Sequence, residues 1–408
     1  MRPKRILYPD AYFAVISDLH VYDPSLGSSG AAFEEALCSD RKHLLESIEL
    51  LDYAIGDIIA SGVRFVLIPG DLTKDGELVN HRILAEKLKR FSAAGIAVYV
   101  IPGNHDINNP DAVSHNGSKT TPVPSISAEE FASLYRDFGY NAACMRDTHS
   151  LSYVVEPTDG LWLLALDCCR YRENRPGKRA VVPGRIRAKT EAWINDVLKI
   201  AAAKNKAVIA MAHHGVVEHW KGQAKLNPDF LLEDYRRFGK FFADNNVRFV
   251  FTGHYHAQDI AAARFGDNVI YDIETGSLSA APCPIRYLEF KDKALHIRTQ
   301  TIADKVRPGT DFAANADAFI KKNYRIAAER ILARVKVNKK DRDYIAGAIA
   351  DAFAAHANGD ENPALRPAFD RSRLGPWGRF ISWSQQYVLD GLWTNIPPAD
   401  NDTVIELY

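Results

Sequence analysis

Five short polar motifs, each directly behind an apolar run, hold the side chains of this chain that could do chemistry. Asp18-Leu19-His20 follows YFAVIS (12–17), and Gly70-Asp71 follows VRFVLIP (63–69). Gly103-Asn104-His105-Asp106 follows IAVYVIP (96–102). His213-His214 follows KAVIAMA (206–212), and Gly253-His254-Tyr255-His256 follows VRFVFT (247–252). The donors are carboxylates, imidazoles and one amide oxygen, with no thiolate. Such nitrogen and oxygen donors suit Mn, Fe, Zn, Co or Ni, and the imidazoles argue against an all-oxygen Ca or Mg cage. They are too many for one tetrahedral zinc site. A two-metal centre fits better, with ions roughly 3.5–4 Å apart. Taken singly, an Asp or His behind a strand is usually a turn former or a cap. All five together, in this order, point to a metal site.

The elements that must position these residues are legible too. Each apolar run is short, β-branched and aromatic, which reads as a strand buried on both faces. In open α/β sheets, ligand sites lie beyond the carboxyl ends of such strands. Helical patterns cover 39–61 and about 78–94, 127–137, 184–204 and 229–245. In the first, Leu44, Leu45, Ile48, Leu51, Ile55, Ile58 and Ile59 share an apolar side. Strand patterns fall at 151–155, 161–166, 268–273, 284–290 and 294–299. Early alternation and later hairpin-like pairs imply mixed sheets. Residues 107–126, rich in Asn, Ser and Pro, read as a long loop, either a substrate wall or a surface excursion.

Residues 305–408 change character. Helical patterns near 311–335, 339–357 and 374–394 are separated by breakers in 358–367. Trp377, Trp383 and Trp393 crowd the final stretch, an aromatic stripe expected to pack rather than to bind a ligand. The division is therefore a catalytic domain over 1–304 and a helical region over 305–408. That region is expected to be a cap or lid beside the active-site edge, with dimerisation (a homodimer) as the alternative. Arg286 is a further candidate for a phosphate or a tail carboxylate, and a surface salt bridge is its expected role.

The ordered set Asp18-x-His20, Gly70-Asp71, Gly103-Asn104-His105-Asp106, His213 and Gly253-His254-x-His256 resembles the calcineurin-like metallophosphoesterase superfamily over roughly residues 10–300. The stretches GDLTKDGELVNH (70–81), PGNHDINNP (102–110) and FGYNAA…HSLSY (138–153) are similar to bacterial cyclic-nucleotide phosphodiesterase-type members that carry a helical C-terminal region. The resemblance implies a four-layer αββα sandwich, two mixed sheets flanked by helices, with an all-helical appendage. It implies two divalent or trivalent metal ions, with Mn, Fe or Zn foremost. Asp18, His20 and His256 would hold one ion, Asp71 would bridge, and Asn104, His213 and His254 would hold the other. His213 is preferred to its neighbour because the family's ligand is usually the first residue after the strand. Asn104, His105 and His214 would face the substrate phosphate, although His214 could instead merely pack. Relatives often continue this motif with prolines, whereas this chain reads Gly215-Val216-Val217.

His105 would be the acid or electrostatic helper, with Asp106 orienting its ring. The expected chemistry is in-line attack on phosphorus by a hydroxide activated between the metals, with His105 protonating the leaving oxygen. A phosphodiesterase is the first reading. A phosphomonoesterase, nucleotidase, phospholipid esterase or nuclease on the same site is the second, and a non-enzymatic scaffold the third.

Composition agrees with an ordinary enzyme of 408 residues, and the resemblance implies a small phosphate ester as its substrate. Lys+Arg and Asp+Glu each total 51, so no basic excess advertises a nucleic-acid surface. No apolar stretch approaches the ~20 residues that span a bilayer. The basic start lacks a signal-peptide core, and Cys38, Cys144, Cys168, Cys169 and Cys283 have neither zinc-like spacing nor an even count. A cytoplasmic setting is the expectation, with export by a signal absent from this chain as the alternative.

Overall fold

A computed structural model describes residues 7–359 and 361–407, so the basic start over 1–6 lies outside the described residues. The first sheet contains three parallel strands, Ala11–Val15, Phe65–Ile68 and Ala97–Val100. On its other side Pro284–Lys291 pairs antiparallel with Ala11–Val15, followed by Ala294–Thr301 and Thr403–Glu406. The second sheet has Leu161–Leu166, Ala207–Ala212, Phe249–Thr252 and Asn268–Glu274 in parallel, edged by antiparallel Asp259–Phe265 and by Tyr153–Thr158 and Met145–Arg146.

The two sheets face each other across one large apolar core. Phe13 of the first stacks on Phe65 at 4.8 Å and meets Phe251 of the second edge-on at 5.5 Å. Helices Ser47–Ser61 and Leu78–Ala93 bury Leu50, Ile55, Leu84 and Leu88 against the first sheet. Helices Ala188–Ala203 and Tyr235–Asp244 cover the outer face of the second with Ile194, Val197, Phe238 and Phe242. Helix, sheet, sheet and helix make the four layers expected. Burial on both faces explains why the strand sequences are apolar runs rather than alternations.

Several expectations need correction. The helix read over 39–61 is broken: Ala31–Ser39 is one helix, and Asp40–His43 turns the chain before the next begins at Ser47. The loop read over 107–126 contains a hairpin, Val113–Asn116 with Lys119–Pro122. The C-terminal region is helical over Phe312–Arg334, Lys339–Asn358, Pro376–Ser384 and Gln386–Leu392, yet it is not all helix. Its end returns to the first sheet as Thr403–Glu406. Trp393 is buried, but Trp377 and Trp383 are 48% and 64% exposed, with Phe380 between them. Arg286 is fully buried and donates to the carbonyls of Glu274 and Asp400, so it locks the tail to the sheet instead of forming a surface salt bridge. No described helix is long and apolar enough to cross a membrane.

The helical region packs where the second sheet's polar loops emerge. Val388, Leu389, Leu392 and Trp393 bury against Trp220, Tyr255 and Ala257, and Ile320 and Tyr324 against Ala280 and Ala281. Tyr255 sits between His254 and His256, so the helices rest on the loop that carries both imidazoles.

Candidate metal centre

Five parallel strands, three from one sheet and two from the other, end at the same edge. Asp18 and His20 follow Ala11–Val15, Asp71 follows Phe65–Ile68, and Asn104 follows Ala97–Val100. His213 follows Ala207–Ala212, and His254 and His256 follow Phe249–Thr252. Asp18, His20, Asp71, His254 and His256 all adopt positive φ, between 41° and 73°. Non-glycine residues rarely do so, and such strain gathers at functional sites. Here it falls just beyond three of the five strands, Ala11–Val15, Phe65–Ile68 and Phe249–Thr252. Two glycines allow the close approach. A Cβ on Gly103 would lie 2.1 Å from Asp71 Oδ1, and one on Gly253 2.2 Å from Asp18 Oδ2.

The donors converge in two groups that share one residue. Asp18, His20, Asp71 and His256 form the first, and Asp71, His213 and His254 the second. His20 Nε2 lies 3.2 Å from His256 Nε2 and 3.6 Å from Asp71 Oδ2. His256 Nε2 is 3.2 Å from Asp18 Oδ1. On the other side His213 Nε2 is 3.4 Å from Asp71 Oδ2 and 3.1 Å from Asn104 Oδ1. All seven residues are buried, at most 7% exposed. Two imidazole nitrogens facing one another among carboxylates can share only one proton, so the arrangement suits a cation better than a set of hydrogen bonds.

The protonation tendencies agree. Burial, and then the Lys42 ammonium, hold His20 well below the ordinary imidazole range. Burial also lowers His256, and burial with the neighbouring His214 and His213 lowers His254. Neutral rings are the form that ligates metal. His213 differs: burial pulls it down, but the Asp71 carboxylate outweighs that and raises it to about 10. A cation beside Asp71 would replace that proton. Outer contacts fix the rings, since His213 Nδ1 is 2.8 Å from the Pro69 carbonyl and His20 Nδ1 3.3 Å from that of Thr73. These residues therefore fit a binuclear centre, with Asp71 placed to be shared.

His105 stands at the margin, its side chain 28% exposed, with Nε2 3.9 Å from Asp71 Oδ2. Its Nδ1 is 2.8 Å from Asp75 Oδ1, and its amide donates to Asp71 Oδ1 at 3.0 Å. Burial and Lys42 depress the ring while Asp71 and Asp75 raise it, and the net direction is upward.

One expectation fails here. Asp106 does not orient the His105 ring. Its carboxylate accepts from the amides of Gly103, Leu72 and Thr73 and from Thr73 Oγ1, bracing the Asp71 loop against the Asn104 loop. For His214 the geometry fits the packing alternative. The ring is buried, with Nδ1 3.3 Å from Cys168 Sγ and Nε2 2.8 Å from the Val182 carbonyl, so both nitrogens are occupied. Conversely, Asp75 and Lys42 were not singled out from the sequence. Asp75 had a visible signal as the second acid of GDLTKDG, whereas Lys42 lay inside a segment read as helix.

Fold and site together define a two-sheet α/β protein with a mixed carboxylate–imidazole centre at one sheet edge. The family model for calcineurin-like phosphoesterases matches residues 11–258, and the chain belongs to that family. Among solved structures it is similar to a dimetal phosphatase from Danio rerio, with 14% identity, 72% of this chain and 97% of that chain covered, and a TM-score of 0.51. It is also similar to purple acid phosphatase PPD1 from yellow lupin (Lupinus luteus) seeds, with 13% identity, 72% and 52% coverage, and a TM-score of 0.46. At these identities the likeness is one of fold. No curated protein matches the chain.

Proposed function

We propose that this chain is a binuclear-metal phosphoesterase that cleaves phosphodiester bonds, with cyclic nucleotides as the first substrate class. The observation that carries the reading is the position of Asp71, common to both donor groups and next to His105. Asp18, His20 and His256 would hold one ion, Asn104, His213 and His254 the other, and Asp71 both. The bound ions supply Lewis-acid neutralisation of phosphate charge and activation of water at neutral pH.

The chain's own residues supply the rest. Asp75 pairs with His105 Nδ1 and favours the charged ring, whose Nε2–H, on the Asp71 side, donates to the oxygen leaving phosphorus. Asp106 keeps the Asp71 and Asn104 loops in register. Lys42, buried at 7% exposure and close enough to depress His20 and His105, adds positive charge for an anionic substrate. Phe230 packs its ring 4.7 Å from that of His254 and so supports this imidazole. Residues 305–408 act as a cap on a catalytic domain spanning 1–304, with their last strand returned to that domain.

The test is hydrolysis of bis(p-nitrophenyl) phosphate, its mono-ester, and 3′,5′- and 2′,3′-cyclic AMP by the manganese-loaded chain. Diester turnover that falls roughly 10²–10⁴-fold in His105→Ala, with metal content unchanged, supports the reading. Turnover of the mono-ester alone favours a phosphomonoesterase on the same site, and metal-loaded His105→Ala with full activity refutes the role of His105.

A further inference from the structure

A second cluster of buried imidazoles and carboxylates lies where the strand Asp259–Phe265 meets the helical region. Asp259, His356 and Glu361 each bring a donor atom within 4.8 Å of the others. His356 Nδ1 is 3.7 Å from Asp259 Oδ2 and pairs closely with Glu361 Oε1. The three residues are 3%, 2% and 6% exposed. Glu361 Oε2 is buried without a hydrogen-bond partner. Residues that form only a salt bridge would be expected to satisfy such an atom, because orphaned buried polar groups are costly.

Charge points the same way. Asp259 also holds His219 Nδ1 at 2.6 Å, and His219 Nε2 lies 3.6 Å from Asp272 Oδ1 and 3.4 Å from Glu274 Oε2. Four buried carboxylates (Asp259, Asp272, Glu274, Glu361) thus surround two imidazoles. Burial, against the pull of His219, holds Glu274 well above the ordinary carboxylate range, which shows how strongly this interior disfavours carboxylate charge, and a divalent cation would compensate that charge directly.

From this juxtaposition of one imidazole and two carboxylates across the strand–helix junction, we propose that Asp259, His356 and Glu361 hold a divalent transition cation of the zinc type, separate from the centre around Asp71. The free Oε2 of Glu361 offers a further donor atom beside the three, from the carboxylate and imidazole types that zinc accepts. The site's ligands come from both parts of the molecule. Asp259 begins an edge strand of the second sheet, while His356 lies in the last turn of the helix Lys339–Asn358 and Glu361 follows that helix. The amide of Gln258 donates to the Ala357 carbonyl at 3.2 Å across the same junction. The ion is a staple: its binding free energy adds to the docking of the cap beside the His254–His256 loop.

The experiment is metal analysis of the full chain after zinc loading and desalting. The wild type is expected to retain about three ions per chain, and Glu361→Gln and His356→Gln about two. Asp71→Asn is expected to lose the binuclear pair yet keep about one ion, which Asp71→Asn/Glu361→Gln then loses. Asp71→Asn with unchanged metal would count against the binuclear reading and leave this site standing. A wild type that retains no more than about two ions, both lost in Asp71→Asn, would overturn the staple. Should Glu361→Gln not fold, anomalous scattering at the zinc edge from wild-type crystals decides: a peak among Asp259, His356 and Glu361 supports the site and its absence rejects it.

Discussion

His105 Nδ1 lies 2.8 Å from Asp75 Oδ1, while the ring's other nitrogen faces Asp71 at 3.9 Å. The carboxylate does two things for the imidazole. It fixes Nδ1 as the protonated nitrogen, and it favours the charged ring against burial and the Lys42 ammonium, which oppose it.

The pH dependence of turnover should therefore follow Asp75. An acid must be protonated to act, and a carboxylate that raises its pKa extends activity toward alkaline pH. In Asp75→Asn that help is lost, so the alkaline limb of the kcat profile moves to lower pH. Turnover should fall roughly 10- to 100-fold, short of the roughly 10²–10⁴-fold a whole general acid provides. Rate profiles with metal content measured alongside check this; a profile unmoved by the substitution would remove Asp75 from the proposed role.

Gly103→Ala tests the centre without touching any donor. The added Cβ would fall 2.1 Å from Asp71 Oδ1 and 2.2 Å from the Asp71 amide, neither of which can yield without moving the shared carboxylate. Displacements of this order cost about 100-fold in rate. We expect such a loss, together with weaker metal retention. A fully active, metal-replete Gly103→Ala protein would mean that Asp71 tolerates displacement and does not set the geometry.

How far the sequence foretold this centre depends on what each residue's position is fixed by. Asp18, Asp71, Asn104, His213 and the Gly253–His256 motif are fixed by strand ends, and buried strands announce themselves as apolar runs. Asp75 and Asp106 are fixed by turns. Asp106 adjoins His105 in sequence, yet consecutive residues in a tight turn point different ways, and the carboxylate that reaches the ring comes from thirty residues earlier. His214 takes the packing alternative for a related reason, since neighbouring residues leaving a strand project to opposite sides. Lys42 was hidden because the apolar periodicity of the helix Ser47–Ser61 runs on past its start, while Asp40–His43 leaves the helical path.

Asp106 should matter for stability more than for chemistry. Its two oxygens accept from three amides and one hydroxyl, all buried, and only an acceptor satisfies them. Burial and the nearby Asp71 carboxylate raise it to about 7 even so. Asp106→Asn replaces one acceptor oxygen by a donor and leaves at least one amide unpaired, a loss of about 1–3 kcal/mol. Urea denaturation of the metal-free protein measures it. Loss of activity with no change in stability would instead return Asp106 to a direct role at His105.

Acid should loosen the cap through His43. This residue packs its ring against Phe312 and Phe319 of the helix Phe312–Arg334, at centroid distances of 5.6 and 5.0 Å, and is 8% exposed. Burial lowers it to about 4 from an ordinary value of 6.5. The sign follows from which state binds the proton. The unfolded chain protonates near 6.5 and the folded one only near 4, so the neutral ring's stabilisation is present above the first value. It is lost as pH falls between the two, and at pH 5 the loss amounts to roughly 2 kcal/mol. Other buried groups titrate as well, so the informative quantity is a difference between proteins. His43→Phe keeps an aromatic ring between the two phenylalanines and removes the titration. Between pH 7.5 and pH 5 it should lose roughly 2 kcal/mol less stability than the wild type. Hydrogen exchange over Phe312–Arg334 should show the same protection against acid. Equal losses in the two proteins would place the acid sensitivity elsewhere and leave His43 as packing alone.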